Sequence, residues 1–381
     1  MRKQWFAGQG KTTVALCLLL VGMAAQAAPR WQAADTLPAG SWPDHSEDLC
    51  AVADDTATYL ARGEDYDPAV NHGGTLPDIA QPVARLIETL HFLCDIQRED
   101  QAAERPSRLT DPAFIAEHFE MVRWHPDQQN AHALGEGRPL LAQLPDNRLL
   151  LTKYYVRLAD GRAEQGADTP HALYGTPFDE AHLTLAEADS NAPELTRYRY
   201  GKQAVVAMET KAETAQDFTG LAPPLVWLSR ADLEGALLQG TAVVQDEQGQ
   251  RQYFNVHRNN GVAYDRTRRP EEQERYWYFK EVAGVLGYGK DADEKIPVRP
   301  KVTVAGDVFQ LGLGRVILLR TTEHGEPVYR LTVLADTGGA FHDNLYQLDW
   351  LSGYYRDWDD YHAANRHRGD YAEAWLLLKR Q

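Results

Sequence analysis

The chain has 381 residues, 43% of them hydrophobic, with nine tryptophans and eighteen tyrosines, which excludes disorder and leaves room for one large or two modest globular domains. Its formal charge is −16. With no counterion-releasing basic face, nucleic acid is excluded as a partner, and a neutral or mixed-charge polymer fits better.

The first residues carry Arg2, Lys3 and Lys11, then the apolar run Val14 to Met23, then Ala25-Gln26-Ala27. This pattern reads as a signal peptide over 1–27, so the mature protein is expected to be exported to the periplasm. The apolar core is about half the ~20 residues that span a bilayer, so no integral membrane segment is expected after cleavage. Cys17 follows Leu16 rather than a small residue, which argues against lipidation. Loss of the leader takes the charge to about −19 and leaves Cys50 and Cys94 as the remaining thiols. In an oxidising compartment a disulfide between them is expected, with two separately buried thiols as the alternative.

Trp31 to Pro43 reads as an extended arm. Three helices are expected next: Ser46 to Leu60 with Ser46 as cap, Pro82 to Cys94 with Pro in the first turn, and Asp111 to Glu120 capped by Asp111. At Arg148 the period changes, and Leu149 to Val156 reads as a buried strand containing Thr152 and Tyr154. From Arg157 to about Arg275 the chain is more polar, with short strands expected at Ala204–Met208 and Ala242–Val244 and a helix at Ser229–Leu238. Aromatic density returns at Tyr276-Trp-Tyr-Phe279, and further strands are expected around Ile296–Val298 and Ile317–Arg320.

Near the C-terminus an apolar, β-branched run from Val328 ends at Asp336, followed by Thr337, Gly338 and Gly339; a second run, Leu345 to Leu348, ends at Asp349. Gly338 and Gly339 are expected to supply a tight turn with backbone angles that other residues avoid. Two acids at strand ends beside such a turn suit a general acid and its helper.

Ala335-Asp336-Thr337-Gly338-Gly339-Ala340-Phe341 followed by Asp349-Trp-Leu-Ser-Gly353 resembles the C-terminal barrel motif, the 3D domain, of the lytic murein transglycosylase A family. Leu151-Thr152-Lys153-Tyr154-Tyr155 resembles that family's Phe-Thr-Gly-Tyr-Tyr strand, with Lys153 in place of glycine. Gln239-Gly240-Thr241-Ala242 and Asn260-Gly261-Val-Ala-Tyr264 resemble elements of its inserted domain, although Asp265-Arg-Thr-Arg268 replaces the family's Ser-Ile-Gly. The resemblance covers about the last hundred residues well and the middle in patches. It implies a mainly β, α+β fold: a six-stranded double-psi β-barrel, an inserted second β-rich domain and N-terminal helices. The expected division is 1–27 signal peptide, 28–157 helices and first part of the barrel, 158–276 insert, and 277–381 the rest of the barrel.

The resemblance also implies an activity, cleavage of the bond from N-acetylmuramic acid to N-acetylglucosamine in peptidoglycan glycan strands with formation of a 1,6-anhydro sugar. Asp349 would be the single acid/base, Asp336 its supporting carboxylate, and Thr152 the hydroxyl holding Asp349; Tyr154, Gln239, Gly338 and Gly339 are candidate substrate contacts. The family spaces its two aspartates eleven apart, a position held here by Gln347, so the loop after Phe341 carries two extra residues and Asp343 inside it is a rival acid. Such an acid must be lifted from about 3.9 by burial and a neighbouring like charge. Other cell-wall enzymes are conceivable partners.

Two other readings stand beside this one. Asp336-Thr337-Gly338 also resembles an aspartic-protease turn, but no second such turn exists in the chain and a homodimer would be needed. A non-catalytic glycan-binding wall protein is the other alternative. No cofactor or metal is expected, because the thirteen histidines include no His-Glu-x-x-His. Gly284 to Lys290 imitates a P-loop, yet Asp291 follows where Ser or Thr is required.

Overall fold

The computed structural model describes residues 29–210, 217–265, 267–290 and 294–381; the signal peptide expected over 1–27 lies outside them. The arm is more ordered than its composition suggests. Strand β1 (Arg30–Ala34) pairs antiparallel with β2 (Phe119–His125), and Trp42 stacks on Tyr329 with ring centroids 4.5 Å apart.

The helices form on their apolar stripes, but their ends differ from expectation. Helix α1 (Ser46–Leu60) already includes Ser46, and the Asp44 carboxylate accepts from the Ser46 amide at 2.9 Å in place of a serine cap. Helix α2 (Val83–Ala102) starts after Pro82 and runs on past Cys94. Leu86, Leu90 and Leu93 are buried between the two. A disulfide joins Cys50 of α1 to Cys94 of α2, with Cα atoms 4.7 Å apart. In α3 (Pro112–His118) the Asp111 carboxylate accepts from the Ala113 amide as expected. Phe119 and Glu120 leave that helix because the C-terminal strand pairs with them.

Next come β3 (Leu149–Arg162), β4 (His171–Tyr174), β5 (Pro224–Leu228), β6 (Thr241–Gln245), β7 (Arg251–Asn259) and β8 (Trp277–Val282). They are followed by β9 (Val285–Leu286), β10 (Pro297–Val298), β11 (Thr303–Ala305), β12 (Val316–Glu323), β13 (Glu326–Asp336), β14 (Gln347–Tyr355) and β15 (Tyr371–Lys379). The strand expected at Ala204–Met208 is instead part of a helix, Lys202–Thr210. Its β-branched pair, Val205 and Val206, is buried in a core as readily from a helix, and that packing overrides a weak local preference.

Six strands close on themselves in the order β15-β12-β13-β11-β14-β3, with β3 pairing back to β15. This α+β ring is the counterpart of the expected barrel. β3 is long enough to leave it: beyond its pairing with β14, Leu158 lies opposite Val243 of β6 and Gly161 opposite Leu228 of β5. A Cβ on Gly161 would stand 2.2 Å from a Val244 methyl carbon, so the crossing tolerates no side chain there. One hydrophobic core fills the ring and the space under α1 and α2; a second gathers Ala159, Tyr174, Trp227, Phe254 and Tyr278.

The disulfide closes a loop with a sequence separation of 44, worth roughly 4 kcal/mol in chain entropy. Reduction, or Cys94→Ser, should lower the urea midpoint accordingly; an unchanged midpoint would show that α1 and α2 hold together without it.

Candidate functional site

The two aspartates are brought to one level by the short strand β11. Ala305 pairs with Asp336 of β13 on one side and with Asp349 of β14 on the other, and Asp349 pairs in turn with Thr152 of β3. Residues directly opposite one another share a face of a sheet. The row Asp336, Ala305, Asp349, Thr152 thus presents two carboxylates and a hydroxyl together, the aspartate backbones roughly 10 Å apart across two strand spacings. Apolar burial fixes this register. Val333 to Ala335 are buried ahead of Asp336, and Leu348 and Trp350 are buried on either side of Asp349, so a slip by one residue would turn those side chains out of the core.

The carboxylates differ in their partners. Both oxygens of Asp336 are taken: Tyr154 Oη donates to Oδ2 at 2.7 Å and the Thr337 amide to Oδ1 at 2.8 Å. Oδ1 of Asp349 is buried and has no hydrogen-bond partner among the described residues. Burial pushes both carboxyls up to about 6. For Asp336 the Tyr154 hydroxyl, the Thr337 amide and Lys295 pull the other way. For Asp349, Thr152 favours the charged form, the charge of Asp336 opposes it, and Lys153 favours it. Lys153, the departure from the family's glycine, is anchored to Asp370 at 2.7 Å and to the Gly369 carbonyl at 2.8 Å.

Asp336 and Thr337 form one wall of a cleft of about 420 Å³. The opposite wall comes from Gln239, Thr241 and Asn255 of the insert and from Trp277 just after it. Gln239 is held there by accepting from the Arg157 amide at 2.8 Å. Thus Thr152, Tyr154, Asp336 and Asp349 are brought together in the ring, while Gln239 shares the cleft with Asp336 alone of the four.

Two expectations about the loop change. Neither Gly338 nor Gly339 adopts a left-handed conformation; the left-handed residue is Asp343, with φ 54°. Both glycines form an exposed turn, and no atom lies within 4 Å of a Cβ built on Gly339, so openness rather than backbone freedom distinguishes the position. Asp343 stands away from the row: its side chain is 85% exposed and one oxygen accepts from Gln310 at 3.2 Å.

Sequence reasoning missed Gln347 and Tyr288. Gln347, at the family's usual interval for the acid, donates to the Thr152 hydroxyl at 3.0 Å, so it supports the row instead of completing it. Tyr288 lies in the false P-loop. Its amide donates to the Ala335 carbonyl at 2.9 Å, and a Cβ on Gly287 would meet that same oxygen at 2.6 Å; the glycine is there for close approach to the Asp336 strand, a signal the phosphate-loop pattern concealed.

Residues 150–269 match the family model described as the MltA specific insert domain. The chain is MltA-like. Its fold is shared with crystal structures of MltA from E. coli (14% identity, 92% of this chain and 95% of that one, TM-score 0.50) and from Neisseria gonorrhoeae (15%, 88% and 90%, TM-score 0.50). A crystal structure of E. coli MltA with bound chitohexaose aligns at 15% identity over 92% and 95% of the two chains, TM-score 0.49. No curated protein matches the chain. At such identities the likeness fixes the MltA-like fold, and the roles of single residues rest on the geometry above.

Because the Asp349 carboxyl is raised from 3.8 to about 6, the folded state holds its proton more tightly than the unfolded state. The stability this contributes is complete below about 3.8 and is lost as pH rises through about 6. Above that pH the fold carries a buried charge with a bare oxygen. Asp349→Asn should therefore raise the melting temperature by a few degrees at pH 8 and change it little at pH 3.5. A drop at pH 8 would mean that the carboxylate is satisfied in the native state.

Proposed function

We propose that the protein is a periplasmic lytic transglycosylase acting on the glycan strands of peptidoglycan, cutting between N-acetylmuramic acid and N-acetylglucosamine and closing the muramic residue into a 1,6-anhydro sugar. The carrying observation is the asymmetry of the two aspartates: Asp336 has both oxygens occupied, whereas Asp349 has a buried oxygen with no partner. The match of 150–269 to an MltA insert domain and the cleft between that insert and the ring support the same reading.

Glycosidases that use water or a covalent intermediate need two working carboxylates. Here each oxygen of Asp336 already accepts a hydrogen bond, from Tyr154 or from the Thr337 amide, which holds the carboxylate in place and weakens it as a nucleophile. One carboxyl is left for the chemistry. Asp349, protonated below about pH 6, gives its proton to the glycosidic oxygen as the C1–O bond breaks. As a carboxylate it then takes the proton of the muramic C6 hydroxyl, whose oxygen bonds to C1. The proton count closes on Asp349, and the substrate's own hydroxyl replaces water. Asp336, itself raised to about 6, adds negative charge as it ionises and so keeps its neighbour protonated to higher pH, and Thr152, braced by Gln347, stands opposite Asp349 in the row.

The proteolytic reading loses support from the same contacts. A protease pair shares one proton between two equivalent acids, while these two have unlike environments.

On purified sacculi, Asp349→Asn should lower release of anhydro-muropeptides by at least ~10³-fold with an intact fold. Asp336→Asn should retain measurable activity but move the descending alkaline limb of the pH–rate profile to lower pH, since the charge raising Asp349 is gone. Asp343→Asn should change rates less than twofold. Products that are hydrated rather than anhydro would overturn the transglycosylase assignment. An inactive Asp343→Asn with an active Asp349→Asn would overturn the choice of acid.

A further inference from the structure

A second cleft, of about 550 Å³, opens on the other end of β14, beyond Ser352 and away from the aspartate row. It is within the size range of small-ligand sites. Its nearest lining residue on β14, Ser352, is three residues from Asp349, roughly 10 Å at ~3.3 Å per residue, and its lining shares no residue with the Asp336 cleft. The two clefts are therefore separate.

Arg251, Arg299 and Lys301 line this cleft, and among the described residues none of them makes an ion pair. That is unusual in a chain whose net charge is −16 and whose other arginines are so often bridged to carboxylates, as Arg157 is to Asp232 and Arg320 to Glu373. Asp48 is the one carboxylate on the lining. Burial, with Arg368 and Arg330 nearby, pushes the Lys301 ammonium down to about 8, and His45 on the same wall is held below its usual range by burial, Arg330 and Lys301. Glu323 acts on Lys301 and Asp55 on Arg299 from outside the lining, so the lining itself sets three cations against the single carboxylate of Asp48.

The cleft is also built rather than incidental. A Cβ on Gly284 would stand 2.7 Å from Arg299 Nη1, and one on Gly353 would stand 2.7 Å from the Tyr355 hydroxyl; either side chain would displace the lining. Lys301 holds a left-handed backbone, φ 74°, which a lysine adopts at a cost. Its amide donates to the Leu351 carbonyl at 2.8 Å and its carbonyl accepts from Trp350 Nε1 at 3.0 Å. Tyrosine rings complete the walls: Tyr253 meets Tyr354 edge to face at 6.2 Å, and the Arg251 guanidinium lies over Tyr354 at 5.5 Å.

We infer that this cleft is a binding site for a short carboxylate-bearing peptide, its carboxylates meeting Arg251, Arg299 and Lys301 and its apolar part lying against Tyr253 and Tyr354. Guanidinium groups suit carboxylates by their paired donors. A long polyanion is disfavoured because the rest of the molecule repels it. Resting on the lytic transglycosylase reading, the occupant is the acidic peptide stem carried by the muramic residues of peptidoglycan, so the enzyme would hold the wall by its peptides as well as by its glycan.

The test titrates the full-length exported protein with N-acetyl-L-alanyl-D-glutamate and with its bis-amide, reading backbone amide shifts by NMR at low and high salt. The free acid should perturb residues of the second cleft. Its Kd should rise at least tenfold on amidation, in Arg299→Gln, and in Lys301→Gln, with thermal unfolding confirming that each variant is folded. Equal binding of the bis-amide, perturbation confined to the Asp336 cleft, or unchanged affinity in both variants would overturn the proposal. Cleavage of sacculi is measured separately on the wild type: its absence would sink the lyase reading, while the peptide titration reports on the second cleft without any cleavage.

Discussion

The structure depends on one strand being hydrogen-bonded in two places. β3 pairs with β14 and β15 within the ring and then with β5 and β6 beyond it, so a single run of backbone satisfies its donors and acceptors in both sheets. Everything functional is measured from it. Thr152 and Tyr154 lie on its ring half, Arg157 at the crossing presents the amide that holds Gln239, and Ala159 and Gly161 pack into the second core. Because the chain returns to the ring only after β8, the insert is tied at both ends to the scaffold that carries the aspartates, and the cleft follows from that double attachment.

Burial then does what neither aspartate could do alone. The Asp343 carboxyl is exposed and stays in water. Asp336 and Asp349 sit half-buried on a row whose neighbours are apolar, which raises both. The site separates them by hydrogen bonding: two donors fix Asp336, and Asp349 is left with an oxygen that none of the described residues satisfies. An unsatisfied buried acceptor costs about 1–3 kcal/mol, a stability loss that enzymes concentrate where a substrate will supply the missing partner.

Much of this was legible from residues with local meaning. The apolar run ending at Asp336 is a strand end in the structure, whereas Asp349 does not end its run but stands third in β14, which starts at Gln347 and continues to Tyr355 because it pairs with β3; Asp111 and Ser229 cap helices, and the two remaining cysteines pair. What was not legible depended on contacts distant in sequence. The Ala204–Met208 segment has a strand's composition, and its helix follows from a core assembled out of β4, β5 and β8. Gly287 and Tyr288 sit in a stretch whose glycines resemble a phosphate loop, and only the approach of Ala335 shows what they are for. The loop between the aspartates looked like a glycine-driven turn, but its unusual backbone belongs to Asp343 and Lys301 carries another, neither marked by residue type.

The shared strand also has a mechanical meaning. Two lobes joined by a loose linker open and close about a hinge, with little elastic resistance. Here the link is continuous sheet, and at Gly161 the packing is too tight for even a methyl group. The cleft can widen only by changing the twist of β3, a deformation opposed by every hydrogen bond along it, so the aperture offered to a polymer behaves as a stiff spring. A polymer would have to fit that gauge on entry, and the rigidity of the cleft, more than any single contact, would decide which segments can thread through it.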